Sequence, residues 1–499
     1  MLSAFTLVAI VVAGGILYSA AQVIYRLYFH PLSHYPGPKL AAATWWYEAY
    51  YDAWLYGQFT FQVQKLHEVY GPIVRITPDE LHCNDPLFYD TVYSNAARRE
   101  KAAHRVDSTF STVNHELHRR RRAAMNRYFS KGSVIKLEPM IHENVDKLCR
   151  QLLVHQGTGE PVDIAAAFIC FVGDVVSTYA FGKSYSFLDH PSFDSNLHTA
   201  MVAGTESGPY VRQLPFIFPI IKLLPDALAA ALSPTMKVHA QYQADLREEI
   251  GQVQKQVHMR REMKKEEGLP ASVFHELFES DLPKEERTVE RLRQEGELIL
   301  GAGIETTGWT LSVLFYHVLN NPEIGQRLTE ELETAIPDPC ACISEALRLS
   351  YGVSSRSPRI SPDEPLVYRP SSKIPVPAEK SEYVIPKGTP ISLTSYILHH
   401  NEVAFPQSKI FDPNRWLDER GQRDRTGEKY MFPFSRGTRQ CLGMNLAYAE
   451  LYMASALVMR RLGPHLSLYE TRSDDVEMRY DLVVPRPKLD SKGIRVMID

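Results

Sequence analysis

Cys441 stands in the run Phe434-Ser435-Arg436-Gly437-Thr438-Arg439-Gln440-Cys441-Leu442-Gly443. A cysteine that binds a metal must be held as thiolate in a shielded site. Cys441 lies just before a predicted helix over 442–462, whose N-terminal dipole and free N–H groups favour negative charge. The N–H groups of the residues after it can hydrogen-bond the sulfur and tune the potential of a metal bound there. Gly437 permits a tight turn, Gly443 a close approach by a flat ligand, and Phe434 can cover the thiolate side. For an isolated cysteine, a buried free thiol would be the simpler reading.

A second stretch with chemistry in it is Gly301-Ala302-Gly303-Ile304-Glu305-Thr306-Thr307-Gly308, inside a helix predicted over 289–319. Glycine costs a helix about 0.5–1 kcal/mol relative to alanine, so three in eight positions need a reason. Close helix packing is one. The adjacent Glu-Thr-Thr supplies another: a threonine hydroxyl can bond the carbonyl one turn back and open a groove, and Glu305 with Thr306 forms an acid–alcohol pair able to relay protons.

The elements that must position these residues read as mainly helical, with a smaller β-rich portion. Helices are predicted over 58–70, 115–128, 134–154, 289–319 and 442–462, and a short strand over Leu366–Tyr368. Length alone suggests about three domains, yet residues 46–499 show no linker, repeat or second boundary and are read as one domain. A net charge of −4, with 44% hydrophobic and 23% charged residues, gives no reason to expect a nucleic-acid partner. The six cysteines do not form a disulfide-rich pattern, which favours a reducing compartment. Cys340 and Cys342 have no nearby partners that would make a metal site.

Residues 2–25 carry no charge and are long enough to cross a bilayer of roughly 30 Å. A cleaved signal peptide is the alternative, but a basic leader is missing and the apolar run is too long for one. Arg26, His30 and Lys39 then place the rest of the chain in the cytosol by the positive-inside rule. Residues 26–45, with Tyr35-Pro36-Gly37-Pro38, read as a stiff, non-helical hinge.

Every fixed position of the 434–443 run matches the haem-binding loop of the cytochrome P-450 family, which the chain closely resembles. The resemblance implies a cytochrome P-450 fold, haem b with Cys441 as axial iron ligand, dioxygen activation, and electrons from an NADPH-dependent reductase in the endoplasmic reticulum membrane. It also implies Thr306 as the catalytic alcohol with Glu305 beside it, and Arg439 on a haem propionate. Glu345 and Arg348, at i,i+3, would join Arg415 of Phe411-Asp412-Pro413-Asn414-Arg415-Trp416 in a buried structural network; alone they could be a solvated pair. In His118-Arg119-Arg120-Arg121-Arg122, His118 and Arg122 share a helix face and would hold propionates, leaving the middle arginines at the surface, a basic patch that could also meet a reductase. Arg359 is a weaker propionate candidate, and His399 and His400 are scaffold.

The segments Tyr35-Pro36-Gly37-Pro38, Gly303–Trp309 and Ser350–Arg356 look like fungal secondary-metabolism members of the family, similar to the trichodiene oxygenase group, which oxidises terpenoids. Phe110, Val113, Ala302, Ile304, Val353, Leu482 and Val483 are the expected pocket walls. The expected reaction is insertion of one oxygen atom into an apolar small molecule, a terpenoid or another secondary metabolite. A haem-thiolate isomerase or dehydratase is a second reading, which an intact Glu305-Thr306 pair argues against. A third is a defective haem protein, because Thr306 to Glu345 is roughly twenty residues shorter than in family members and Pro337 and Pro339 leave the Glu345 helix little lead-in.

Overall fold

The structure is a computed structural model that describes residues 4–101, 108–193, 196–213, 234–263, 272–334, 340–371 and 380–499. It is mainly helical with small sheets. The helices that matter for the site begin with α1 (Ala4–Ile24), which runs into a π-helical turn at Tyr25–Phe29. Then come α2 (Lys39–Ala43), α3 (Trp46–Ala49) with a π-helical turn at Tyr50–Trp54, α4 (Phe59–Tyr70), α5 (His115–Asn126) and α6 (Glu138–Leu153). They are followed by α7 (Ile164–Phe181), α8 (Asn196–Gln213), α9 (Pro234–Met263), α10 (Val289–Asn320), α11 (Pro322–Thr334), α12 (Cys340–Ser350) and α13 (Met444–Leu462). The helix expected over 134–154 is broken in two, Lys131–Ile135 and α6, because Pro139 lies in the first turn of α6, where its missing N–H costs no helical bond.

Among the described residues, three helices are apolar and long enough to cross a membrane, Ala4–Phe29, α7 and α10. The last two are mostly buried inside the protein and form its core, whereas none of the Ala4–Phe29 window is buried, which is compatible with a membrane anchor. The segment after it is not a bare hinge. Leu32, Tyr35 and Ala41–Ala43 are buried, and residues 39–43 are helical.

Helix α10 packs against α7, α9, α12 and α13. A Cβ on Gly308 would lie 2.6 Å from Ile169 Cδ1 and one on Gly303 3.0 Å from Val176 Cγ2, both on α7. Close packing therefore accounts for two of the three glycines, while Gly301 meets nothing within 4 Å. The largest sheet runs Ile73–Arg75, Leu81–Cys83, Pro390–Ser392, Arg359–Ile360, Glu100–Lys101, with only the second and third strands parallel to each other. Its last register places Lys101 opposite Arg359. At the C-terminal end, Tyr480–Leu482 and Val484–Arg486 form a hairpin turning at Val483, whose φ of 78° is strained for a β-branched residue.

Residues 335–339 lie outside the described residues, and α12 begins at Cys340, directly before the Glu345 turn. The buried Glu345 carboxylate still meets Arg348 in a two-bond fork (2.7 and 2.9 Å), Arg415 Nε (3.2 Å), Trp416 Nε1 (3.0 Å) and the Asp412 N–H (3.0 Å). His399 links this network towards the cysteine loop: its Nδ1–H donates to the Arg348 carbonyl (2.8 Å), and its Nε2 accepts from the Phe432 N–H (2.9 Å).

A second buried histidine pair has its tautomers fixed by its neighbours. His67 Nδ1–H donates to the Gly71 carbonyl (2.7 Å), so His67 Nε2 accepts from His82 Nδ1–H (2.7 Å), and His82 Nε2 accepts from the Thr394 hydroxyl (2.8 Å). Burial lowers the pKa of His67 to about 4 and that of His399 to about 3, and holds His82 well below its usual value. The unfolded chain therefore binds more protons than the folded one between these values and about 6.5, and stability falls as pH drops through that window. The urea midpoint should be lower at pH 5 than at pH 7.5, by a margin that shrinks in His82→Asn; equal midpoints would contradict this.

Candidate active site

The Cys441 loop is fixed by backbone contacts. Gly437 has φ 79°, and a Cβ there would lie 2.2 Å from the Tyr93 carbonyl oxygen, so glycine is required. The Cys441 N–H donates to the Phe434 carbonyl (2.9 Å), and Phe434 packs on Tyr448 with ring centroids 5.1 Å apart. Helix α13 starts two residues beyond Leu442, with Gly443 as its N-cap. A Cβ on Gly443 would meet no protein atom within 4 Å. Cys441 is solvent-accessible, yet burial raises its thiol pKa, as expected of a group lining a deep recess. The N–H groups of Gly443 and Met444 and the charge of Arg122 pull the other way, towards thiolate. Arg122 Nη1 donates to the Gln440 carbonyl (2.6 Å), which holds that charge beside the loop.

Beside the loop, four cationic side chains and His118 converge. Arg439 donates to the carbonyls of Thr112 (2.5 Å) and Val113 (2.9 Å) and keeps a buried Nε with no partner. Arg359 lies over the Tyr93 ring at 4.8 Å and bonds Ser357. Lys101 Nζ donates to the Phe110 carbonyl (2.9 Å) and sits 3.2 Å from that ring's centroid. His118 is buried, and its Nδ1 has no partner. Among the described residues, Lys101, Arg122, Arg359 and Arg439 form no ion pair with a carboxylate. The electrostatic result is mutual. Burial and then Arg359 depress Lys101 far below its usual value and lower Arg439 to about 10, and burial, Arg439 and Arg122 push His118 down to about 3.

On α10, Thr306 Oγ1 donates to the Ala302 carbonyl at 2.7 Å, the one-turn-back bond that the sequence predicts. Glu305 is buried and ion-paired with Arg486 of the C-terminal hairpin (3.0 Å), and Arg486 also donates to Thr205 Oγ1 of α8 (3.1 Å). Helices α10 and α13 pack together, and on α13 burial raises the pKa of the Glu450 carboxyl well above the usual value.

Of the expected pocket walls, Ala302 and Phe110 are exposed and Val113, Val353 and Val483 partly so. Ser354 N–H donates to the Val483 carbonyl (3.0 Å), which joins the 353 and 483 segments. Two expectations are corrected. Ile304 is buried and points at Gly173 of α7, because it lies about 200° round the helix from Ala302. Leu482 is likewise buried in protein, on the face of the hairpin opposite Val483. A third correction concerns the middle arginines of α5. Arg119 and Arg120 are exposed, but Arg121 is buried, forked onto Glu286 (2.7 and 2.9 Å) and bonded to Thr112 Oγ1 (2.7 Å). Glu286 and Glu295 both pair with Arg291, and Glu295 accepts from the Thr109 N–H (2.8 Å) and hydroxyl (2.5 Å). The loop that carries Phe110 and Val113 is thus pinned from α5, α10 and the cysteine loop together.

The cytochrome P450 family model matches residues 44–491. This chain belongs to the cytochrome P450 family. It is 38% identical to the cytochrome P450 monooxygenase tpcC of Cochliobolus heterostrophus over 99% of this chain and 97% of the relative. It is 38% identical to the tryptophan 6-hydroxylase fscE of Fusarium equiseti, covering 95% and 94%, and 36% identical to the N-acetyltryptophan 6-hydroxylase ivoC of Emericella nidulans, covering 98% and 97%. It is therefore a monooxygenase, of a family that uses haem iron, dioxygen and a redox partner, with NADPH supplying electrons through a reductase.

The residues present fit haem. The cations, which pair with no carboxylate among the described residues, and the partnerless Arg439 Nε and His118 Nδ1 suit carboxylates, an accessible sulfur backed by N–H groups suits iron, and no described protein atom lies near Gly443 on the side a Cβ would take. Sequence reasoning missed Lys101, Arg486 and Glu295. Lys101 carries no local signal, because its place beside Arg359 comes from pairing strands over 250 residues apart. A buried lysine beside two arginines destabilises the chain by itself and is relieved by an anion. Lys101→Met should raise the melting temperature of the haem-free chain and lower the haem retained per protein after gel filtration. A lower melting temperature, or unchanged haem content, would remove Lys101 from the cradle.

Proposed function

We propose that Cys441 would hold the iron of haem b, that Lys101, His118, Arg122, Arg359 and Arg439 would receive its propionates, and that Thr306 and Glu305 supply protons during oxygen insertion. The observation that carries this reading is the accessible Cys441 sulfur at the start of α13, with Gly443 and Met444 N–H groups and Arg122 favouring thiolate. Haem bound there supplies dioxygen binding and oxygen-atom transfer. The protein's own part is to hold and move protons. Thr306 keeps its hydroxyl on the Ala302 carbonyl in the resting chain and can turn it to a ligand without breaking the helical bonds. Arg486 positions the Glu305 carboxylate, so proton transfer through Glu305 proceeds against a fixed counter-charge.

The substrate we infer is an apolar small molecule, a terpenoid or another fungal secondary metabolite, in keeping with walls of Phe110, Val113, Ala302, Val353 and Val483. Walls of that kind select shape more than functional groups. Two relatives bear the names of tryptophan and N-acetyltryptophan hydroxylases, which favours an indole as the second candidate class. Electrons would come from an NADPH-dependent reductase on the endoplasmic reticulum membrane, with the catalytic domain in the cytosol.

Expression with such a reductase, followed by product profiling against terpenes and indoles, tests the assignment; turnover without NADPH would instead indicate an isomerase or dehydratase. Cys441→Ala should abolish the red-shifted band of the reduced carbon monoxide complex, and its retention would overturn the ligand assignment. Thr306→Ala should keep that band and slow product formation on the order of 10²-fold, the lower range for a lost general acid, while NADPH electrons emerge as hydrogen peroxide. Unchanged coupling would take Thr306 out of the proton path.

A further inference from the structure

Asp481, on the first strand of the C-terminal hairpin, is a buried carboxylate held by hydroxyl groups. It accepts from Ser354 Oγ (2.8 Å), Ser355 Oγ (2.6 Å) and Thr60 Oγ1 of α4. Among the described residues no cation pairs with it, and Arg356, next in the chain to Ser355, is taken by Glu48 (2.7 Å) and Glu80 (3.0 Å). The Asp481 N–H donates to the Gly57 carbonyl (3.0 Å), and Gln58 Nε2 donates to the Arg479 carbonyl (2.8 Å). Gly57 has φ 71°, and a Cβ there would lie 2.8 Å from the Asp481 backbone nitrogen and oxygen, so the turn before α4 lies flush against the strand. Segments far apart in sequence therefore meet at one carboxylate. A hydroxyl bond to a carboxylate is short and directional, and it fixes positions more closely than a long cationic side chain does.

Two residues further on, Val483 stands at the hairpin tip with φ 78°, a conformation that a β-branched residue keeps only where its surroundings impose it. Both of its main-chain groups are engaged by the 354–355 segment. The Val483 N–H donates to Ser355 Oγ (3.2 Å), and the Val483 carbonyl accepts from the Ser354 N–H (3.0 Å). Ser355 is thus the middle of a chain: its oxygen receives the Val483 N–H while its own proton goes to Asp481. Hydrogen bonds in such a chain strengthen one another. Val353 directly precedes Ser354. The carboxylate accordingly ties together the two segments that carry Val353 and Val483.

We propose that Asp481 is a positioning residue for substrate selection: through Ser355 it holds Val483 in its strained conformation and sets the gap between Val353 and Val483. This rests on reading those two valines as pocket walls. The bulk of the apolar skeleton admitted between them then depends on a carboxylate that lies behind the wall, buried in protein. The second strand of the hairpin ends at Arg486, whose guanidinium meets Glu305 (3.0 Å). The clamp that fixes the wall therefore also steadies the partner of Glu305.

The test titrates the full haem-loaded chain with imidazole and with clotrimazole, an imidazole bearing three aryl rings. Binding is read from the shift of the haem absorption band as the azole nitrogen reaches iron, and the carbon monoxide band confirms folding. Imidazole is too small to meet both walls, so the ratio of the two dissociation constants reports on the gap. Ser355→Ala should change that ratio about tenfold, within the range of coupling between residues in contact, and Asp481→Asn should change it in the same direction. In a Val483→Gly background, where positive φ carries no strain and the wall is gone, Ser355→Ala should change the ratio less than about twofold. A ratio moved by Val483→Gly but not by Ser355→Ala would overturn the proposal and keep the wall. An equal change from Ser355→Ala in both backgrounds would assign Ser355 to general stability and overturn it as well. A ratio unchanged by Val483→Gly would remove the wall reading, and the proposal with it. Should Asp481→Asn lose the carbon monoxide band, the Ser355→Ala comparison decides alone.

Discussion

Positive charge gathered in a place where, among the described residues, no carboxylate pairs with it is the constraint around which the site is built. Lys101 and Arg359 face each other across a strand register, Arg439 arrives from the cysteine loop, and Arg122 and His118 arrive from α5. Burying such groups together is costly unless an anion joins them. The Glu345 network shows the opposite case in the same protein: there a buried carboxylate is met by two guanidinium groups, an indole N–H and a backbone N–H, and nothing further is required. The first cluster suits a dianionic group, and the second is a brace.

The two halves of the site are connected through the substrate loop. Residues 109–113 are held from α10 by Glu295, from α5 by Arg121 and from the cysteine loop by Arg439. Lys101 also donates to the Phe110 carbonyl, so the segment carrying Phe110 and Val113 moves only if one of these charged anchors gives way. Arg486 makes a similar link on the other side, joining Glu305 to Thr205 of α8. Each of these residues is tied to a charged partner on another element, and substitutions within one such network should not act independently.

What could be read from the sequence was what is local. The Cys441 loop, the Thr306 to Ala302 bond and the Glu345–Arg348 pair all lie within one or two turns of chain, where residue type and spacing fix geometry. The errors came where tertiary packing decides. Arg121 looked like one of a solvated row, but Glu286, over 160 residues away, draws it inside. Ile304 and Leu482 sit next to wall residues in sequence, yet helix and strand geometry turns them to the opposite face. Lys101 and Arg486 were invisible because their partners come from sheet pairing and from the C-terminal hairpin. The short run from Thr306 to Glu345 was read as a weak lead-in, and α12 nonetheless starts at Cys340 and delivers Glu345 to its partners.

If the cationic cluster exists to receive carboxylates, neutralising the ligand should matter as much as altering the protein. The direct measurement is a titration of the haem-free chain with haem and with haem dimethyl ester, whose propionates carry no charge, followed by the thiolate-type spectrum. Loss of two charge-assisted contacts, roughly 3 kcal/mol or more together, predicts at least about 100-fold weaker binding of the ester, with a smaller dependence on salt. Equal affinity for the two ligands would contradict the account.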